Sequence, residues 1–300
     1  IMTRIRGQQP IPFTYGTKQK APLAQTLFWC TSLLALSMLV PSCASTQATG
    51  ADTSAPIQQS EYLAVDGAKL YLMTRGEDRR APILLWLHGG PGGAERPLFR
   101  YFNSDLEQHF VVVYWDQRGA GRSFDAEADP HQLTVSRHLA DLDAIVDHLR
   151  QTLGQNKVVL VGHSWGSALG LLYAQQHPEK VAMHIGVAQV VSWHQIQQGQ
   201  YDFTLAESTH RNDEATLKRL HNLCPPPYAT FDQQDKLYDL MAQYGGGVHT
   251  QLCKLCVIAK AMATGLVTPW ELISIHRGIH ASVDTMTSEL LRLDLEQAVP

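Results

Sequence analysis

The sequence predicts an α/β fold, with a mostly parallel sheet and helices on both of its faces. Three short segments are apolar along their whole length: PILLWL (82–87), FVVVYW (110–115) and KVVLV (157–161). Strands without a polar face are buried on both sides, which is typical of a parallel sheet that helices cover. A fourth strand is expected within 181–191, and strands that alternate with helices in this way define the α/β class.

One helix of this fold is predicted between the second and third apolar strands. Over 135–153 the apolar residues recur at steps of three and four, and Gly154 follows as a helix-ending glycine. Ahead of the first apolar strand, segments 61–65 and 69–74 predict two antiparallel strands joined by a turn at Asp66 and Gly67. The folded part is therefore expected to begin with a hairpin.

The composition excludes several classes of function. Hydrophobic residues make up 44% of the chain and charged residues 17%, which fits a globular protein with a core. The net charge of −4 implies no basic face, so nucleic acid is not an expected partner. The fourteen histidines are scattered without an H-E-x-x-H arrangement, so neither a metal nor a cofactor is expected. Five cysteines are too few for a disulfide scaffold.

The N-terminal segment 1–43 is interpreted as an export signal. Basic residues precede a run of fifteen mostly apolar residues at 26–40. This run is shorter than the roughly 20 residues that a bilayer-spanning helix needs, and it suits the apolar part of a secretory signal. Segment 44–60 is polar and is predicted to be a linker.

The sequence VPSCAS (40–45) resembles the lipobox of bacterial lipoproteins, although Pro41 departs from it. The resemblance implies that Cys43 is acylated and that the folded part lies on the periplasmic face of a bacterial membrane. Two alternatives stay open. Cys43 can belong to the tail of an ordinary cleaved signal, which would make the protein periplasmic or secreted. The start of the chain, which opens with Ile1, can also be misassigned.

The segment GHSWG (162–166) is a G-x-S-x-G sequence between an apolar strand and a helical run. A serine on a sharp strand-to-helix turn leaves no room for side chains beside it, which explains glycine on both sides. The helix N-terminus behind Ser164 favours developing negative charge. The sequence therefore indicates Ser164 as a nucleophile, the alternative being a tight turn with an incidental serine.

A second glycine-rich segment, HGGPG (88–92), follows the first apolar strand. Acyl transfer develops an oxyanion that needs two aimed N–H groups. The backbone N–H of Trp165, next to the nucleophile, fits one of them, and that of Gly90 fits the other. Glycines at this place let the backbone approach a substrate closely.

Together HGGPGG (88–93), YWDQRGAGRS (114–123) and GHSWGS (162–167) resemble the α/β-hydrolase superfamily, in its proline iminopeptidase-like branch. The resemblance covers about 61–191. It implies a serine hydrolase that forms an acyl-enzyme on small peptide or ester substrates, with Ser164 as nucleophile and Gly90 and Trp165 as oxyanion donors. For Asp116, Arg118 and Ser123 it implies a structural role, that of supporting the oxyanion loop.

One position departs from this branch. Iminopeptidases often have glycine where this chain has His163, whereas histidine is common in related esterases and lipases. An esterase or lactonase on the same scaffold is therefore an alternative. A non-catalytic binding protein is another, although a binding protein has no need of an oxyanion hole.

After the core at 61–192, the remainder at 193–300 is expected to form a helical cap over the nucleophile. Helices or helical pieces are predicted over 201–223, 233–244, 252–265 and 270–293. Iminopeptidases use cap carboxylates to hold the free amine of the substrate. The candidate carboxylates are interpreted as solvated charges on helix faces: Glu207, Asp213, Glu214 and Glu271. Cys253 and Cys256 are interpreted as core residues or as part of a structural disulfide, with Cys224 as a further partner.

The acid and the histidine that a serine nucleophile needs have no evident place in the sequence. In this fold the acid and the histidine each come with a further core strand. No such strand is predicted after the one within 181–191. The sequence is therefore interpreted as a fragment whose C-terminal core strands, catalytic acid and base lie beyond residue 300. Substrate and oligomeric state stay open.

Overall fold

The computed structural model describes residues 55–247 and 254–298. The predicted signal (1–43), most of the predicted linker, Cys43 and Cys253 lie outside the described residues. The strands are β1 (Ile57–Val65), β2 (Ala68–Gly76), β3 (Ile83–Leu87), β4 (Val111–Asp116), β5 (Val158–His163) and β6 (Val181–Val187). The helices are α1 (Arg96–Asn103), α2 (Val135–Leu153), α3 (Trp165–Gln176), α4 (Trp193–His210), α5 (Glu214–Leu223), α6 (Phe231–Ala242), α7 (Lys254–Ala263), α8 (Pro269–Leu290) and α9 (Leu295–Ala298).

The six strands form one sheet in the order β1-β2-β4-β3-β5-β6. The pairs β3–β4, β3–β5 and β5–β6 are parallel, whereas β1–β2 and β2–β4 are antiparallel. The predicted mostly parallel sheet is thereby confirmed. The predicted hairpin turn is confirmed as well, since Asp66 and Gly67 have φ of 42° and 77°, as a two-residue turn between twisted strands requires.

The predicted linker ends earlier than the sequence suggested. Strand β1 begins at Ile57 rather than at 61, so the last four residues of segment 44–60 belong to the sheet. These residues belong to β1 because the strand pairs with the whole of β2, beginning with Ile57 opposite Gly76. Its side chains are mostly exposed, so the sequence carried no apolar signal there.

Apolar side chains pack on both faces of the sheet. Leu85 and Leu87 of β3 face a large core that α2, α3 and the second half of α8 complete. The alternate residues Leu84 and Trp86 face a smaller cluster, where Trp86 stacks on Phe99 of α1 with ring centroids 3.6 Å apart. Because side chains alternate along a strand, an all-apolar strand serves two cores at once.

Helices follow β6 in the described part of the chain, and no further strand appears there. The helical segment predicted over 201–223 consists of two pieces, the second part of α4 and the whole of α5. Asn212 adopts a positive φ of 54°, and the Asp213 carboxylate accepts the Thr216 N–H, so that α4 ends and α5 begins. No helix in residues 55–247 and 254–298 has the length and apolar character needed to cross a membrane.

Candidate active site

Ser164 lies on the turn between β5 and α3, as the sequence predicts. Its φ of +51° and ψ of −120° place a side-chain-bearing residue in a strained conformation, which is typical of functional turns. A Cβ on Gly162 would lie 2.3 Å from the Gly166 carbonyl oxygen, and a Cβ on Gly166 would lie 2.1 Å from that of Leu87. Both glycines are therefore required by close packing of the turn.

The glycine-rich loop after β3 lies directly against Ser164. A Cβ on Gly89 would be 3.1 Å from the Cβ of Ser164, and Gly90 has a positive φ of 116°. Farther along the loop, a Cβ on Gly92 would come within 2.4 Å of the Gly278 carbonyl oxygen in α8. The loop is thus held between the Ser164 turn on one side and α8 on the other.

Gly90 and Ser164 open onto the same cavity, which has a volume of about 210 Å³. Helices α4, α6 and α8 form its other walls, so part of the predicted cap lies over Ser164. The apolar wall consists of Val190, Trp193, Ile196, Phe231, Ile279 and Val283. The polar wall consists of Gln197, Gln200, Gln234, Asp235 and Tyr238.

Asp235 is the one carboxylate among the described residues that line the cavity. It is half-buried, and it makes no ion pair or hydrogen bond within the described part of the chain. Sequence reasoning missed Asp235, because its position in a helix does not distinguish it from the exposed Asp232 three residues earlier. In the structure Asp235 faces the cavity between α4, α6 and α8, whereas Asp232 is exposed.

The interpretation of Glu271 as a solvated charge is wrong. Its side chain is 8% exposed and accepts hydrogen bonds from Arg96 and, at 2.6 Å, from Arg122. Burial raises the pKa of Glu271, but the Arg122 hydrogen bond, the Thr268 N–H and both arginine charges outweigh it and lower that pKa to about 2. The carboxylate joins α8 to α1 and to the loop after β4.

The other candidate carboxylates do not reach the cavity. Glu207 pairs with Arg211 at 2.8 Å on the surface of α4, and Glu214 is exposed on α5. Asp213 caps α5 and accepts a hydrogen bond from the Tyr244 hydroxyl at 2.7 Å. Their contacts are those of helix surfaces and helix ends.

Cys224 is an exposed free thiol, so the suggested disulfide partnership with it is wrong.

His163 pairs with a carboxylate that the sequence did not suggest. Its Nδ1 lies 2.6 Å from Glu95 Oε1, at the residue that precedes α1. The Glu95 hydrogen bond raises the pKa of His163, and partial burial opposes the shift. The pair crosses Gly89, because a Cβ on that glycine would lie 3.0 Å from Glu95 Oε1 and 3.1 Å from His163 Nδ1. His163, the residue that departs from the iminopeptidase branch, thus links the Ser164 turn to the glycine-rich loop.

Asp116, Arg118 and Ser123 hold the loop after β4 in place. Arg118 forms a two-pronged ion pair with Asp141, with both N–O distances at 2.7 Å. Asp116 accepts the Arg122 backbone N–H at 3.0 Å, and the Ser123 hydroxyl donates to the Asp116 carbonyl oxygen at 2.5 Å. These contacts are internal to the scaffold, as the family resemblance implied.

No histidine in the described residues forms a hydrogen bond with the Ser164 hydroxyl. His280, on α8, instead approaches Asp232 at 3.7 Å. The described residues also contain no group of three or more side chains suited to bind a metal ion. What the described part of the chain brings together is a strained serine, a glycine-rich loop and a covered cavity.

Comparison with known proteins places this geometry in a family. Residues 82–242 match the family described as alpha/beta hydrolase fold. Over 240 residues the chain is 30% identical to "Probable aminopeptidase YbaC" of Bacillus subtilis (strain 168), a match that covers 79% of this chain and 75% of that protein. It is 40% identical over 125 residues to the proline iminopeptidase of Xylella fastidiosa (strain Temecula1 / ATCC 700964), covering 42% of this chain and 37% of that protein.

Solved structures show the same fold. The proline iminopeptidase-related protein from Thermus thermophilus superposes with a TM-score of 0.53 at 22% identity, covering 81% of this chain and 76% of its own. VinJ superposes with a TM-score of 0.55 at 18% identity, covering 81% and 78%. The chain is a member of the α/β-hydrolase family. Within it, the chain belongs to the proline iminopeptidase-like branch and is a hydrolase.

Proposed function

We propose that this protein is a serine aminopeptidase that releases an N-terminal residue, such as proline, from small peptides through an acyl-enzyme. Ser164 is the nucleophile, and the backbone N–H groups of Gly90 and Trp165 are the oxyanion donors. The observation that carries the proposal is the strained Ser164 turn, which opens together with Gly90 onto a covered cavity.

In the proposed reaction, Ser164 Oγ attacks the carbonyl carbon of the first residue and loses its proton to a base. The oxyanion that forms accepts hydrogen bonds from Gly90 and Trp165. The peptide C–N bond then breaks, the leaving amine takes up the proton, and an ester to Ser164 remains. Water hydrolyses this ester and releases the amino acid.

The base is proposed to lie outside the described residues. The support is that no described histidine forms a hydrogen bond with the Ser164 hydroxyl, whereas a serine hydroxyl needs a neighbouring base to become a nucleophile. Its place beyond residue 300, expected from the sequence, stays a prediction.

Asp235 supports a substrate with a free amine. Asp235 is half-buried and has no partner among the described residues, so its carboxylate is available to pair with a bound cation. It borders the same cavity as Ser164, so an α-ammonium group held by Asp235 would place the adjacent carbonyl near the nucleophile. An enzyme for neutral esters would have no use for this charge. Asp235 is therefore the proposed amine ligand.

An esterase or lactonase is the second candidate. The observation that favours it is His163, since related esterases and lipases often carry histidine there and iminopeptidases often carry glycine. The two candidates share Ser164 and differ in their need for Asp235.

A fluorophosphonate probe tests the nucleophile in the complete protein, which includes the base predicted to lie beyond residue 300. We expect one covalent adduct, mapped by mass spectrometry to Ser164 and lost in Ser164→Ala. An adduct on another residue, or unchanged labelling of Ser164→Ala, contradicts the assignment.

Replacement of Asp235 by asparagine separates the two candidates. We expect kcat/KM for a proline anilide to fall roughly 10- to 100-fold, the value of a charge-assisted hydrogen bond, while kcat/KM for a p-nitrophenyl ester without an amine is unchanged. Asp232→Asn on the same helix is the matched control, because Asp232 is exposed and does not line the cavity. Equal losses on both substrates would exclude Asp235 as an amine ligand and favour the esterase.

A further inference from the structure

The two proposed oxyanion donors belong to different segments of the chain. Gly90 lies in the loop after β3, and Trp165 is the first residue of α3. An oxyanion hole works only when both N–H groups point to one place, and a displacement of about 1 Å can cost on the order of 100-fold in rate. A fixed connection between the two segments is therefore a requirement of the proposed chemistry.

Gln117 provides such a connection. It is the first residue after β4 and is fully buried. Its backbone N–H donates to His88 Nε2 at 3.0 Å, and its side-chain Nε2 donates to the His88 carbonyl oxygen at 2.9 Å. Its Oε1 accepts the indole N–H of Trp165 at 3.1 Å. One side-chain amide thus bonds to both donor segments.

The partners fix the orientation of this amide. The His88 carbonyl oxygen can only accept, and the Trp165 indole N–H can only donate, so Nε2 and Oε1 of Gln117 cannot exchange places. His88 Nε2 accepts a hydrogen bond from the Gln117 backbone N–H, which leaves the ring proton on Nδ1, 2.8 Å from the Gly89 carbonyl oxygen. Burial lowers the pKa of His88 and so maintains the neutral ring that this arrangement needs.

The Trp165 ring cannot move independently of its backbone. It is fully buried, and the ring of His138 packs against it edge-on, with centroids 5.9 Å apart. A shift of Gln117 is therefore transmitted through the indole to the first turn of α3, and through His88 to the loop that carries Gly90.

We propose that Gln117 is a positioning residue that sets the separation of the two oxyanion donors. The inference rests on the proposed roles of Gly90 and Trp165. It goes beyond the support that Asp116, Arg118 and Ser123 give, because their side chains contact neither His88 nor Trp165 in the hydrogen bonds described above.

The test compares Gln117→Leu with Gln155→Leu. Gln155 is a matched control, because its amide bridges Ala81 and Ile83 at the other end of β3, with Nε2 2.8 Å from the Ala81 carbonyl oxygen. We expect Gln117→Leu to slow fluorophosphonate labelling of Ser164 about 100-fold at saturating probe, with an unchanged half-saturating concentration. Gln155→Leu should change the rate of labelling less than about twofold, because Gln155 is remote from the site.

Hydrogen–deuterium exchange gives a readout that needs no chemistry at Ser164. In Gln117→Leu, the rate of exchange should rise in both segments, 88–93 and 164–167. In Gln155→Leu, it should rise in neither segment. Trp165→Phe removes the indole N–H and keeps an aromatic ring. It should slow labelling less than Gln117→Leu does. This variant keeps the test valid if the leucine variant fails to fold.

Each outcome decides one question. If the wild-type protein is not labelled at Ser164, the proposed function fails, and exchange alone decides whether Gln117 couples the two segments. If labelling slows equally in both leucine variants, or if exchange rises in one segment only, Gln117 does not position the donors.

Discussion

At the scale of single residues, the site depends on backbone positions that admit no side chain. Ser164 can adopt its strained φ only because Gly162 and Gly166 let β5, β3 and α3 meet at contact distances. This requirement was predictable from the sequence, because a serine on a sharp strand-to-helix turn leaves no room for side chains on the residues beside it. The neighbouring Glu95–His163 pair was not, because its members are 68 residues apart.

Gly166→Ala tests the close packing of this turn. The new Cβ would lie 2.1 Å from the Leu87 carbonyl oxygen, a backbone atom that cannot rotate away. We expect the free energy of unfolding to fall by about 3 kcal/mol or more. Gly199→Ala is the control, because Gly199 lies inside α4 with no heavy atom within 4 Å of the new Cβ. That variant should gain about 0.5–1 kcal/mol. Similar effects of the two substitutions in urea unfolding would contradict the packing argument.

At the scale of elements, α8 is joined to α1 and to the loop after β4 by one carboxylate, and it packs closely against the glycine-rich loop after β3. Glu271 accepts the Thr268 N–H at the start of α8 while it binds Arg96 and Arg122. Nearby, a Cβ on Gly92 of the glycine-rich loop would lie 2.4 Å from the Gly278 carbonyl oxygen of α8, and a Cβ on Gly278 would lie 2.4 Å from the Gly119 carbonyl oxygen in the loop after β4. Helix α8 and the glycine-rich loop therefore form one packed unit.

Glu271→Gln should lower the free energy of unfolding by about 3 kcal/mol at pH 7, because it removes the carboxylate that pairs with the buried Arg96 and with the more exposed Arg122. The folded pKa of Glu271, about 2, lies below its ordinary value of 4.5, so this stabilisation is present above pH 4.5 and is lost as the pH falls toward 2. The difference between wild type and variant in urea unfolding should therefore be large at pH 7 and small at pH 2. Glu207→Gln, which breaks an exposed pair with Arg211, should cost less than about 1 kcal/mol. A pH-independent difference for Glu271→Gln would contradict the linkage.

The elements that the sequence predicted best are those whose pattern is local. Strands such as β3 and β5 are apolar on both faces, and α2 carries an apolar stripe that ends at Gly154, so each could be located within one or two residues. The roles of Asp235 and Glu271 could not be predicted, because they depend on neighbours far along the chain. Glu271 meets Arg96 and Arg122 across 175 and 149 residues. Helical periodicity predicts which face of a helix carries a carboxylate, but it does not predict which residue pairs with that carboxylate.

At the scale of the whole molecule, the proposed export of the protein rests on its N-terminal sequence. Cys43 is proposed to carry lipid, since apolar residues precede it and a polar segment follows. Metabolic labelling with an alkyne fatty acid in a bacterial host should mark the wild type and leave Cys43→Ser unmarked. A wild type that stays unmarked and soluble in the periplasm would favour an ordinary signal peptide.

The outer edge of β6 is unpaired within the described residues. Met183, Ile185 and Val187 are 57%, 43% and 43% exposed, and no strand of the described residues pairs with that edge. An unpaired edge with apolar side chains is a template for association between chains. We expect the 300-residue chain to bind a hydrophobic dye and to self-associate in a concentration-dependent way.

Lysine substitutions at Met183 and Ile185 test this edge directly. A charge on an edge strand opposes pairing with another chain, so the double variant should lose most of the dye fluorescence and elute as a smaller species in size-exclusion chromatography. Leu205→Lys on α4 is the control, because Leu205 has a comparable exposure of 40% and lies on a helix. If the control reduces dye binding as much as the β6 variant does, general surface hydrophobicity and not the β6 edge causes the association. If neither changes it, the exposed apolar surface lies elsewhere in the chain.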